Sequence, residues 1–158
     1  MNPQDALTDI IRPALAALPA NLRGDKAEVM LLAIGLQESR FIYRKQIAGP
    51  ARGFWQFERN GVQGVLSHPA SDAIALKLCS EHAAKSAEQV HVLLETQDIL
   101  ACQLARLLLW TDPRPLPQIG EVMSAWDYYV RNWRPGKPHK KTWADCYAKA
   151  VGTVKTFD

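Results

Sequence analysis

The segment "VMLLAIGL", Val29 to Leu36, constrains this chain more than any other stretch. At about 100° per residue it is apolar on every side, and a helix of that kind must sit inside a protein core or a membrane. A spanning helix needs about 18 uncharged residues, and Glu28 and Glu38 bracket this one far sooner. The segment therefore predicts a buried central helix. "DKAE", Asp25 to Glu28, has the form of a capping box that would open it, and the helix is expected to run to about Phe41.

The rest of the chain offers the helices needed to wrap it. Leu7, Ile10, Ile11, Ala14, Leu15 and Leu18 recur on one helical face, with Pro13 expected to kink that helix or to mark its true first turn, and Pro19 to end it. Further helices are predicted within His68–Lys85, Ser86–Glu95 (opened by Ser86), Gln97–Trp110, Gln118–Trp133 and Lys141–Val154. "TDPRPLP" and "RPGKPHKK" interrupt the pattern. Only residues 48–64, where glycines and Pro50 surround "FWQF", read as non-helical, and a short strand or hairpin is expected there. With 158 residues, 47% of them apolar, the chain suffices for one domain with an ordinary core.

Composition removes several classes of function. Three cysteines, Cys79, Cys102 and Cys146, fit neither a zinc pattern nor a disulfide framework and read as free core thiols. No two of the four histidines share the i, i+4 spacing of a ligand pair, so no metal and no cofactor are expected. The first residues lack a basic region ahead of the apolar ones and carry Asp5 and Asp9, so they do not read as a secretory signal; the expectation is synthesis in the cytoplasm and no membrane insertion. A net charge of +3 leans toward anionic partners.

Glu38 ends the apolar helix with Leu31, Ile34 and Phe41 within about 60° of it. Desolvation favours the protonated carboxyl, and Gly35, one turn earlier, leaves room for a ligand to approach; these are the ingredients of a general acid in a cleft. The competing reading is a helix-terminal acid bonded to Arg40 or Arg44.

"ESRF" followed by "GPARGFWQFE" resembles the glutamate-serine and glycine-leucine-methionine-glutamine motifs of lytic transglycosylases and goose-type lysozymes. Glu38-Ser39 fills the first motif; Gly53-Phe54-Trp55-Gln56 fills the second, with aromatics in place of leucine and methionine. The resemblance covers about Ala27 to Trp133 and implies a lysozyme-like helical domain, with a small β-hairpin element near residues 48–64 as the cleft floor. It implies cleavage of the β-1,4 bond between N-acetylmuramic acid and N-acetylglucosamine in peptidoglycan, with Glu38 as acid and base. Origin in a bacteriophage lysin or virion-associated muralytic protein, reaching the cell wall through a holin or by injection, is compatible with that family.

The same resemblance nominates Ser39 and Gln56 for substrate binding, although a late-helix serine also commonly bonds backbone and a hairpin glutamine its own turn. Glu58 stands where goose-type lysozymes place a water-positioning acid; as a base on the opposite sugar face it would make the reaction hydrolytic, and otherwise it pairs with Arg52 or Arg59. The family tyrosine that holds the glutamate could be supplied by Trp126, Tyr128 or Tyr129. Trp55 is the expected sugar-stacking face, while Trp126, Tyr129, Val130 and Trp133 share a spacing that suits a packed stripe equally well. Two other classes stay open: a nucleic-acid-binding helical protein gripping phosphate through "RPGKPHKK", for which one short basic cluster without a recognition helix is thin support, and a non-catalytic wall-binding protein.

Overall fold

The computed structural model describes residues 1–158 as a mainly helical protein with almost no strand. Eight helices follow in order. α1 is a continuous N-terminal stretch in three parts, Pro3–Asp5, Ala6–Ile11 and Arg12–Ala16. Then come α2 (Asp25–Ser39), α3 (Arg59–Ser67), α4 (Asp72–Glu81), α5 (Ala87–Leu93), α6 (Asp98–Thr111), α7 (Val122–Trp133) and α8 (Lys140–Thr156). No helix is long and apolar enough to cross a membrane.

The apolar segment is the axis of the fold, as its all-round hydrophobicity requires. Every residue from Val29 to Leu36 is buried, and α8 packs along α2 while α1 and α6 close other sides. α6 is the second buried helix; α3 and α4 pack on it, and α5 packs on α3. One hydrophobic cluster runs from Ala6 in α1 to Val154 in α8.

Two expectations about the elements are corrected, and one is met. Pro13 lies in the first turn of the α-helical part Arg12–Ala16, the second of the two roles expected for it, and the turn ahead of it widens to π form, with Arg12 N–H donating to the Leu7 carbonyl. A π turn makes room for a ring that would collide with a carbonyl of the preceding α turn. The capping box does not form, because α2 starts at Asp25 after Gly24, and the Glu28 carboxylate is held by Arg12 at 3.2 Å. The segment Ser86–Glu95, by contrast, opens as expected, with Ser86 Oγ accepting from Gln89 N–H.

The second correction concerns the hairpin near residues 48–64. It reduces to isolated antiparallel bridges, Lys45 with Arg52 and Arg52 with Phe57, and its far end is already helix α3, which the glycines at 61 and 64 conceal in the sequence. "FWQF" does not alternate between core and solvent as a strand would. Phe54, Trp55 and Phe57 are all buried, and Gln56 between them takes a left-handed φ of 51°. Gly53, at φ 78°, makes this turn possible, since a Cβ there would lie 2.8 Å from the Leu94 carbonyl oxygen. Arg44 clamps the loop to the start of α6 through a two-pronged bond to Asp98, at 2.9 and 2.8 Å.

Candidate active site

α2 ends at Ser39 because Arg40 and Phe41 both turn left-handed, at φ 55° and 54°. Two consecutive non-glycine residues in that region store about 1–3 kcal/mol each, so the surrounding packing must hold them. Ser39 contributes directly: its buried hydroxyl donates to the Gly35 carbonyl and accepts from Phe41 N–H, both at 3.1 Å. The reversal swings the Phe41 ring back over Gly35, where a Cβ would lie 2.2 Å from its Cζ. The space above Gly35 is thus filled by Phe41 and not kept for a ligand. Ser39, a nominated substrate contact, is used to end the helix.

The same reversal leaves Glu38 on the last turn of α2, half-buried. Its Oε1 accepts the Tyr129 hydroxyl at 2.6 Å. Desolvation lifts the Glu38 carboxyl to about 7, against a smaller opposite pull from the Tyr129 hydrogen bond. Neither Arg40 nor Arg44 bonds it; Arg44 is committed to Asp98. Glu38 can therefore be protonated near neutral pH while still touching solvent, and with Oε1 taken by Tyr129, Oε2 is the oxygen free to carry and deliver a proton.

Tyr129 is the aromatic that holds the glutamate. Trp126 and Tyr128 have other tasks: Tyr128 donates toward the Leu109 and Arg114 carbonyls, and Trp126 packs against Tyr129 and Trp143. Tyr129 itself is stacked face to face on Trp143, centroids 5.1 Å apart and planes 3° from parallel. Burial and the neighbouring Glu38 push its phenol far above its usual range, so it serves as a fixed donor. Trp143 comes from α8, part of the tail outside the family resemblance, and sequence reasoning missed its role. The signal was present in the four-residue spacing of Trp143 and Tyr147, which put both rings on one face of that helix. Gln37, beside Glu38, also reaches this tail, donating to the His139 carbonyl at 2.8 Å and accepting from Thr142 Oγ1 at 2.9 Å.

Trp55 is not a sugar platform. It is 0% exposed, donates its indole N–H to the Leu31 carbonyl at 2.9 Å and meets Phe41 edge-on. Trp133 is the half-exposed ring of the neighbourhood: it bonds the Trp55 carbonyl at 2.9 Å and lies 6.2 Å from Tyr129 and 5.8 Å from Phe57. Gln56 donates to the Gly53 carbonyl at 2.9 Å, satisfying its own turn. Glu58 is exposed at the residue before α3 and forms no ion pair, since Arg59 joins Glu88 instead.

Asp25, Glu28 and Asp158 are the acids close enough to share a cation, and Arg12 already binds two of them. Comparison of the chain with protein-family models, with curated proteins and with solved structures gave no match.

Proposed function

We propose that this protein is a lysozyme-like muralytic enzyme that cleaves the β-1,4 bond between N-acetylmuramic acid and N-acetylglucosamine, with Glu38 as general acid and then base. One observation carries the reading: a half-buried carboxyl raised to about 7 at the end of an apolar helix, fixed by a tyrosine hydroxyl. Such a group holds a proton at neutral pH and can release it without moving far, which is what protonation of a departing glycosidic oxygen requires.

In the proposed reaction the Glu38 proton passes from Oε2 to the glycosidic oxygen as the bond to the muramic C1 breaks. The resulting carboxylate is stabilised by Tyr129 while C1 carries oxocarbenium character. Glu38 then takes the proton of the sugar's own C6 hydroxyl as that oxygen closes on C1, giving a 1,6-anhydro end and restoring the acid. The trap is taken as intramolecular because Glu58 and Asp127, the alternative bases, are exposed and Glu38 has a hydrogen-bond partner in Tyr129 alone. Hydrolysis by inversion would need a second carboxylate about 6.5–9.5 Å away across the sugar. Trp133, in place of Trp55, offers the aromatic face for a pyranose ring.

Mass spectrometry of the released muropeptides tests this. Anhydro ends, lighter by one water and resistant to borohydride, are expected. Uniformly reducible ends would remove the transglycosylase reaction, and loss of turnover in Glu58→Gln would then make Glu58 the base of a hydrolytic muramidase.

A further inference from the structure

Two cations on the loop after α2 take no part in the proposed chemistry. The Gln46 N–H donates to the Ala51 carbonyl at 2.8 Å and the Gly53 N–H to the Arg44 carbonyl at 2.6 Å, which makes Lys45 and Arg52 a non-hydrogen-bonded antiparallel pair. In such a pair the Cα atoms stand about 4.5 Å apart and both side chains leave the same face. Alternation puts Arg44 and Gln46 on the other face, where both are occupied. The Arg44 guanidinium lies 4.4 Å from the Phe54 ring centroid and bonds Asp98, and Gln46 Oε1 accepts the Ala51 N–H at 3.2 Å.

Like charges directly across a ladder repel. Nothing in the protein relieves this pair: neither Lys45 nor Arg52 is in an ion pair, and no acid occurs between Glu38 and Glu58. Lys45 is exposed and Arg52 half-buried, so an outside anion can reach both. A carboxylate between them meets donors from two cations and removes the repulsion. Apolar surface adjoins the charges, since Tyr43 and Ile47, two residues to either side of Lys45, are 49% and 77% exposed. The ladder also fixes where this face leads. Arg52 and Phe57 exchange both N–H···O bonds at 2.9 Å, so the Phe57 ring belongs to the same face. That ring is 5.8 Å from Trp133, and Trp133 is 6.2 Å from Tyr129, which holds Glu38. One row of side chains therefore runs from the acid, past the half-exposed Trp133, to the cation pair.

We infer that Lys45 and Arg52 form a carboxylate-binding subsite for the acidic peptide stem that the muramic residue carries in peptidoglycan. The identity of the ligand rests on the cleavage reaction proposed for Glu38, whereas the anion site rests on the ladder alone. A stem offers carboxylates for the two cations and alanine methyl groups for the apolar surface beside them.

The full chain carrying Glu38→Gln, to prevent turnover, is titrated at low ionic strength with a disaccharide–tripeptide fragment of peptidoglycan and with the same fragment methyl-esterified on its carboxylates. Amide chemical shifts report the binding. The acid form is expected to saturate with a Kd of about 1 mM or tighter and to bind at least about tenfold more tightly than the ester. Lys45→Glu gives Arg52 a partner across the ladder, so it keeps the fold while closing the site; it should weaken the acid form by about 10- to 100-fold and leave the ester unchanged. Replacing Lys137, Lys140 and Lys141 by glutamine should leave the preference in place. Equal affinity for the two forms, a preference that survives Lys45→Glu, or displacement of the fragment by an equal concentration of inorganic phosphate would overturn the inference. Wall clearing by the wild type is read separately: clearing without the preference sinks the subsite and spares the reading of Glu38, and the preference without clearing does the reverse.

Discussion

Replacing Glu38 by glutamine should stabilise the protein at alkaline pH, by an amount the site itself sets. The carboxyl titrates at about 7 in the folded chain against 4.5 for the ordinary group. Between those values the folded state holds a proton that the unfolded chain has released, so each pH unit of increase removes about 1.4 kcal/mol of stability. Glu38's contribution is fully present below pH 4.5, is lost as pH rises, and levels off above about 7, a total loss of about 3 kcal/mol. Glutamine has no proton to lose and still offers an oxygen to the Tyr129 hydroxyl. All other titrating groups are common to both proteins, so the difference between their stability curves isolates Glu38. Urea unfolding from about pH 4 to about pH 9 reads it directly. The variant's midpoint should gain on the wild type by about 1–2 M across that range, the gain falling between about 4.5 and 7. Parallel curves would refute the claim that folding desolvates this carboxyl.

Further outcomes follow from the same geometry. Tyr129→Phe removes the one donor to Glu38, so the carboxyl should titrate higher by roughly one pH unit, with the alkaline limb of activity moving up with it; NMR titration of the Glu38 carboxyl checks the direction. Gly35→Ala should destabilise by about 1–3 kcal/mol in urea unfolding, because a Cβ 2.2 Å from Phe41 Cζ forces the ring out of its seat. Neutralising Lys137, Lys140 and Lys141, all exposed and in no ion pair, should weaken binding to intact walls more than it slows cleavage of a short soluble glycan; a salt series on both substrates separates the two effects, and tight duplex DNA binding by wild type would favour the nucleic-acid reading instead.

What could be read from the sequence was what periodicity controls. An all-apolar run announces its own burial, and a carboxylate at its end announces desolvation, so α2 and the state of Glu38 were legible from Val29 to Glu38. The six helices downstream of it were not equally plain: α3 was missed because Gly61 and Gly64 read as loop, although Val62 and Val65 carry the helical spacing of its buried face. Local backbone choices were invisible. Nothing in the composition of "ESRF" reveals that Arg40 and Phe41 turn left-handed, yet that turn seals Gly35 and ties up Ser39. Aromatic residues misled for a related reason: glycines around "FWQF" suggested a hairpin with an exposed tryptophan, whereas the loop buries Phe54, Trp55 and Phe57 together. Choosing Tyr129 over Tyr128 needed the rotation of α7 against α2, which contacts distant in sequence fix: Tyr129 on Trp143, Tyr128 on the Leu109 carbonyl and Trp133 on the Trp55 carbonyl.

Clearing of purified cell walls by wild type and by Glu38→Gln, at neutral pH and equal protein concentration, tests the proposed chemistry most directly. Urea unfolding in the same buffer confirms that the variant is folded. The account predicts that wild type clears the suspension and that the variant is slower by about 10²–10⁴, the usual contribution of a general acid. Clearing by the folded variant at the wild-type rate would contradict it.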